Sequence, residues 1–222
     1  MGKYLPSTGS SSSADCVNCA TGRYGVGFGA TALAQCTQCV EGKYNPATAS
    51  STSSACVDCG AGRYGETAGL ELAEQCKNCG QGKWSNVTTA TAEAQCTACP
   101  KGTYNPSAGS PTLMQCLNCV MGKYGDGSGA TAFSDCKDCG PGTYLDAEAK
   151  TSAEQCVACP RGRYSSAEGS QTALSCASCP LGKYSSTLVS FERSESRHQA
   201  HENSEGTEGG MKKRPRCIQT QN

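Results

Sequence analysis

Large aliphatic side chains are scarce in this sequence. Leu, Ile, Val and Phe together account for 22 of the 222 residues, about half the share expected of a chain with an ordinary apolar core. A fold held together by burial alone is therefore excluded. Histidine is absent before His198, and the only other one is His201. Ser and Thr are plentiful, but they stand in clusters without a neighbouring base, so the pattern of an activated nucleophile is missing. The glycines do not lead into helices in the way a phosphate-cradling loop requires. These absences predict a protein that is not an enzyme and needs no cofactor. Net charge is also lacking. The 19 basic and 19 acidic residues cancel, and no block of one sign marks a nucleic-acid surface. No stretch approaches the 18 or so apolar residues of a membrane span. No apolar run of the signal-peptide kind follows Met1-Gly2-Lys3-Tyr4.

Cysteine and glycine are abundant, with 19 and 27 copies. A low apolar content with high net charge would mean disorder. With balanced charge and this cysteine density, crosslinks take over the work of a core. The cysteines are periodic. Cys16-Val-Asn-Cys19-Ala-Thr-Gly22-Arg23-Tyr24 is followed by Cys36-Thr-Gln-Cys39-Val-Glu-Gly42-Lys43-Tyr44 and then by Cys56-Val-Asp-Cys59-Gly-Ala-Gly62-Arg63-Tyr64. The unit Cys-x-x-Cys-x-x-Gly-x-Tyr keeps its register as far as Tyr184, with Trp84 as the one replacement for Tyr. A fixed period of this size means a repeat architecture.

A second glycine often stands five residues past the aromatic, as at Gly29, Gly69, Gly109, Gly129 and Gly169; Ala49, Thr89 and Ala149 take that place elsewhere. Turn-forming residues surround it, including Asn45-Pro46 and Asn105-Pro106. One repeat thus reads as a strand of three or four residues at Gly-Lys-Tyr, a turn, and a return to the next cysteine pair. Segments such as Thr91–Gln95 have some helical propensity but are too short to hold a helix unaided. The expected architecture is a small, disulfide-rich, mainly β and irregular fold, an elongated tandem array of about 20-residue β-hairpins without a large core. Residues 1–184 form the array, with the first repeat truncated. Residues 185–222 read as a polar, disordered tail. Because Gly2-Lys3-Tyr4 is already in register, Met1 is expected to be an internal residue and the chain a fragment of a longer protein.

Three chemistries use Cys-x-x-Cys. A redox dithiol wants one reactive site in a strand-helix context, which nine equivalent pairs do not resemble. Zinc competes seriously, since Cys-x2-Cys-x16-Cys-x2-Cys falls within the spacing of a four-cysteine site. Zinc would join pairs two by two, however, and the spacers show no alternation. Structural disulfides from one pair to the next close loops of about 18 residues, worth roughly 3 kcal/mol each by chain entropy, against roughly 2 for the short ring within a pair. The expected bonds are Cys19–Cys36, Cys39–Cys56, Cys59–Cys76, Cys79–Cys96, Cys99–Cys116, Cys119–Cys136, Cys139–Cys156 and Cys159–Cys176. Cys16, Cys179 and Cys217 are left over.

Cys159-Pro160-Arg161-Gly162-Arg163-Tyr164-Ser165-Ser166-Ala167-Glu168-Gly169-Ser170 and Cys179-Pro180-Leu181-Gly182-Lys183-Tyr184-Ser185-Ser186 carry a wider resemblance. The pattern resembles the ephrin-receptor-like cysteine-rich repeat and, more distantly, the cysteine-rich modules of tumour-necrosis-factor and growth-factor receptors. That resemblance implies an extracellular or cell-surface location and contacts with other extracellular proteins. It also implies an aromatic ring packed beside each bridge, at Tyr24, Tyr44, Tyr64, Trp84, Tyr104, Tyr124, Tyr144 and Tyr164. The chain has no ephrin-binding domain, kinase domain or membrane anchor, so a membrane connection would run through other parts of a parent protein.

Other features are less specific. The residue before the aromatic is basic at Lys3, Arg23, Lys43, Arg63, Lys83, Lys123, Arg163 and Lys183. Such a column could meet acidic glycans, or it could be a solvated edge whose aliphatic stems cover neighbouring rings. Asn86-Val87-Thr88 is the one glycosylation sequon. The histidines lack a third ligand, and the Lys212–Arg216 run is assigned no role. The expected function is a non-catalytic extracellular spacer or protein-interaction array. A ligand-binding piece of a receptor ectodomain and an intracellular zinc array are the alternatives.

Overall fold

The computed structural model describes residues 1–9, 12–181, 183–184 and 218–219. The chain divides into two compact units, residues 1–117 with 127–135, and residues 118–126 with 136–222. Both units are built from one motif. Among the described residues there is no α-helix; two-residue strands alternate with single 3-10 turns.

In the first unit, Lys43–Tyr44 pairs antiparallel with Val57–Asp58, in the register Lys43 to Asp58 and Tyr44 to Val57. Arg63–Tyr64 pairs with Lys77–Asn78 and Lys83–Trp84 with Thr97–Ala98 in the same way. In the second unit, Lys123–Tyr124, Thr143–Tyr144 and Arg163–Tyr164 each meet their return strand identically. From Lys3–Tyr4 to Arg163–Tyr164 the return strand is the x-x of the next Cys-x-x-Cys. This makes the strands two residues long, shorter than the three or four the sequence predicts. The physical reason is that the two flanking cysteines belong to different bridges, so the chain must turn at both ends of the pair.

The segment before each pair is a 3-10 turn of three residues, and in most rungs it is held by the side chain in front of the cysteine. Gln95 Oε1 accepts from the backbone N–H of Thr91 at 2.6 Å and of Ala92 at 3.2 Å. Gln35, Gln75 and Gln155 do the same in their rungs, and Asp135 does it with a carboxylate. The turn is too short to propagate as a helix, and the side chain satisfies N–H groups that would otherwise lack partners.

A two-stranded hairpin of this size has little stability by itself. Its missing support comes from rungs further along the chain. In the first unit the N–H of Gly62 donates to Ser85 O at 2.8 Å, Gly65 N–H to Ala90 O at 2.9 Å, and Gly109 N–H to Cys79 O at 2.8 Å. Gly62 also lies so close to Gly109 that a Cβ added to it would stand 2.2 Å from the Gly109 carbonyl oxygen. Contact therefore reaches the next rung and the one beyond it, further than simple nearest-neighbour stacking.

Asn45 and Asn105 show what fills the space between rungs. The sequence marks them as turn residues, but both are almost fully buried. Asn105 Nδ2 donates to Lys83 O at 3.1 Å and to Ser110 Oγ at 2.8 Å, while Oδ1 accepts from Ser107 N–H at 3.0 Å. Asn45 makes the same three bonds to Arg23, Ser50 and Ala47. Leu145 occupies the equivalent place in the second unit and is equally buried. Replacing Asn105 by Ala is expected to cost about 2–3 kcal/mol, because it leaves buried partners unsatisfied. Asn105→Ser, which copies Ser85 and Ser165, should cost less. Chemical denaturation of the two variants checks the order.

The tail predicted over residues 185–222 lies outside the described residues, as do Cys217, both histidines and the Lys212–Arg216 run, except that Ile218–Gln219 pairs antiparallel with Lys183–Tyr184. Among the described residues no helix is long and apolar enough to cross a membrane.

Candidate functional site

The cysteines are the chemically distinctive groups, and the rungs place them in pairs. The second cysteine of each Cys-x-x-Cys follows the return strand, and the first cysteine of the next pair follows the 3-10 turn. The hairpin brings the two within reach. Cys19 is bonded to Cys36, Cys39 to Cys56, Cys59 to Cys76, Cys79 to Cys96, and Cys99 to Cys116 in the first unit. Cys119 to Cys136, Cys139 to Cys156, and Cys159 to Cys176 continue the series in the second. Every bond spans 17 residues, and the Cα–Cα distances fall between 5.6 and 5.8 Å, close to the commonest separation for disulfides. Cys16 is a free, partly buried thiol. Cys179 is in a disulfide, and Cys217 lies outside the described residues.

Nearly every sulfur in these bonds is buried, and cysteines make up most of the apolar interior. Around them the aromatic residues sit in two kinds of setting. Tyr64 is 6% exposed and packs with Ala90 and with Cys79 and Cys96. Tyr44 packs against Cys59, Leu70 and Cys76. Each of these two rings thus covers the bridge that closes one rung further on. That displacement could not be read from sequence, because Tyr64 lies inside the loop closed by Cys59 and Cys76. Tyr104 instead meets Phe133 edge-on, with ring centroids 5.9 Å apart. Trp84 is partly buried, and its indole Nε1 has no hydrogen-bond acceptor. Tyr24, Tyr124, Tyr144 and Tyr164 are partly buried strand residues.

Six members of the basic column are turned toward their own chain. Arg23 donates through Nη1 to Cys36 O at 2.8 Å, Arg163 to Cys176 O at 3.0 Å, and Arg63 to Ala73 O at 3.3 Å. Lys43 pairs with Asp58, Lys123 with Asp138 at 2.8 Å, and Lys83 with Glu93 at 2.7 Å. Lys43 and Asp58 stand opposite each other across the hairpin, as do Lys123 and Asp138, which is the geometry for cross-strand charge pairs. The hydrogen bond from Lys43 holds the Asp58 carboxyl below its ordinary pKa. Partial burial opposes this, and the Thr88 hydroxyl reinforces it. A carboxyl lowered in the folded state contributes stability at neutral pH that fades as pH falls through its folded pKa. The pairs are partly exposed, so each contributes little.

Asn86 is exposed and lies in a loop outside the strands, with Val87 also exposed. Thr88, the third sequon residue, donates its hydroxyl to Asp58 Oδ2 at 3.1 Å. Among the described residues no three His, Cys, Asp or Glu side chains gather as they would around a metal ion.

Two segments match a known family model. Residues 87–136 and 142–195 match the family described as tyrosine-protein kinase ephrin type A/B receptor-like. The matched segments contain the same cysteine spacing as residues 16–79. No curated protein matches the chain.

Proposed function

We propose that this chain, two segments of which match the ephrin-type-receptor-like family, is a non-catalytic extracellular array that acts as a spacer or a protein-interaction surface within a larger secreted or cell-surface protein. The observation that supports this most directly is the run of eight disulfides at one constant step. Such bonds persist in oxidising compartments and are rare in the cytosol. A repeat stapled to its neighbours can hold other domains apart or offer a long contact surface. The reading as a piece of a ligand-binding receptor ectodomain draws on the same family match. Other extracellular proteins are the proposed partners. Acidic glycans are a weaker proposal, since they would have to compete with the carbonyl and carboxylate partners of the basic column.

Expression through a secretory pathway followed by non-reducing peptide mapping tests the proposal. The expected map contains these eight bonds, a further bond through Cys179, and a free thiol at Cys16. A map dominated by bonds within pairs, such as Cys36–Cys39, would overturn it, as would reduced cysteines carrying about one zinc ion per two pairs. On the same material Asn86 is expected to carry an N-linked glycan. Asn86→Gln should remove the corresponding mass.

A further inference from the structure

The repeat makes rungs comparable, so a place where two rungs differ at one residue is informative. A cavity of about 440 Å³ opens in the first unit, lined by Tyr24, Val40, Lys43, Ser53, Ser54 and Cys56. Moving 80 residues along the sequence turns this set into Tyr104, Val120, Lys123, Phe133, Ser134 and Cys136. Five of the six residue types are unchanged, and Ser53 against Phe133 is the single difference. Within the first unit, the ring of Phe133 stands on Tyr104 at an interplanar angle of 68°, the edge-to-face arrangement that aromatic pairs prefer. Ser53 brings no ring to Tyr24.

We propose that this cavity is a binding site for one aromatic ring, the Phe or Tyr side chain of a partner polypeptide, seated against Tyr24 as Phe133 is seated against Tyr104. The lining favours an aromatic over an aliphatic occupant. Tyr24 offers a ring, and Cys56 belongs to a bridge whose polarisable sulfurs attract ring edges. Lys43 adds a cation, which is drawn to the negative face of a ring. Its pairing with Asp58 keeps that ammonium on the wall. The inference deepens the interaction-surface reading and rests on it, naming the chemistry of the group that a partner would insert.

The test is an NMR titration with N-acetyl-phenylalaninamide. It uses the full chain, oxidised and with its bridges already verified by mapping. The Tyr24 ring signals are expected to shift saturably, with a dissociation constant on the order of 1 mM, the range open to a ligand of about 15 heavy atoms. N-acetyl-leucinamide should bind several-fold more weakly. Ser53→Phe, which rebuilds the Phe133 arrangement, should abolish the shift. Ser53→Leu, a smaller filling change, should abolish it too and keeps the test alive if the Phe variant does not fold. The proposal is overturned if Tyr24 shows no saturable shift, if the leucine analogue binds equally well, or if a folded filling variant responds like the original chain. Those failures would leave the disulfide array standing, whereas a failed bridge map would remove the extracellular reading before any titration began.

Discussion

Gly62→Ala is expected to destabilise the first unit by roughly 2–5 kcal/mol, the sum of left-handed backbone strain and overpacking. Gly62 has a φ of +80°, a conformation that costs any residue with a Cβ. The added methyl would also stand 2.2 Å from the carbonyl oxygen of Gly109 and 2.6 Å from its carbonyl carbon. Backbone cannot rotate away as a flexible side chain can. Gly109 is itself held, since its N–H donates to Cys79 O. Two controls separate the contributions. Gly60 has a φ of +89° but open space around its missing Cβ, so Gly60→Ala should show the backbone cost alone. Gly27 has neither constraint, and Gly27→Ala should be neutral or slightly stabilising, through the unfolded chain. Urea midpoints for the three variants provide the measurement. Equal losses for Gly60→Ala and Gly62→Ala would show that the two rungs are not in tight contact.

Removing the Cys79–Cys96 bond as the paired Cys79→Ala and Cys96→Ala change should cost about 3 kcal/mol from the loss of the loop constraint alone. The loss of packing adds to this. Cys79 is fully buried and Cys96 nearly so, and they share a cluster with Tyr64 and Ala90. The more telling outcome is where the structure loosens. Gly109 N–H depends on Cys79 O, and Cys79 N–H donates to Gly62 O at 2.8 Å. Amide exchange at Cys79 and Gly109 should therefore accelerate together, while Cys39 and Gly69, joined by their own bond of 2.8 Å, keep more of their protection. Local opening of this kind is expected where stability is distributed among small units. Uniform acceleration through the unit would instead mark it as one cooperative block.

Function rests on how the repeats are used, and here two features of the geometry matter. Most of the basic residues that look like an open column in the sequence are engaged with carbonyls of the 3-10 turns and the cysteines that follow them, or with nearby carboxylates. The cavity at Tyr24 is lined by Ser53, at the repeat position where Phe133 alone brings a ring.

The sequence alone carried the period, the disulfide-rich β character and the shortage of apolar side chains. These follow from composition and spacing, and each rung poses the same local problem. The residues in front of the cysteines were legible only as polar. Gln35, Gln75, Gln95 and Gln155 recur there, but their capping bonds depend on a 3-10 turn that no propensity predicts. Asn45 and Asn105 looked like surface turns because Asn-Pro is a turn signal; their burial depends on a carbonyl 22 residues away. The same limit applies to which bridge each ring covers and to the carbonyl that presses on Gly62. Local pattern determines what each rung is made of. Which rungs touch depends on how far the chain advances and turns per repeat, a quantity set by packing among residues distant in sequence and so decided only in three dimensions.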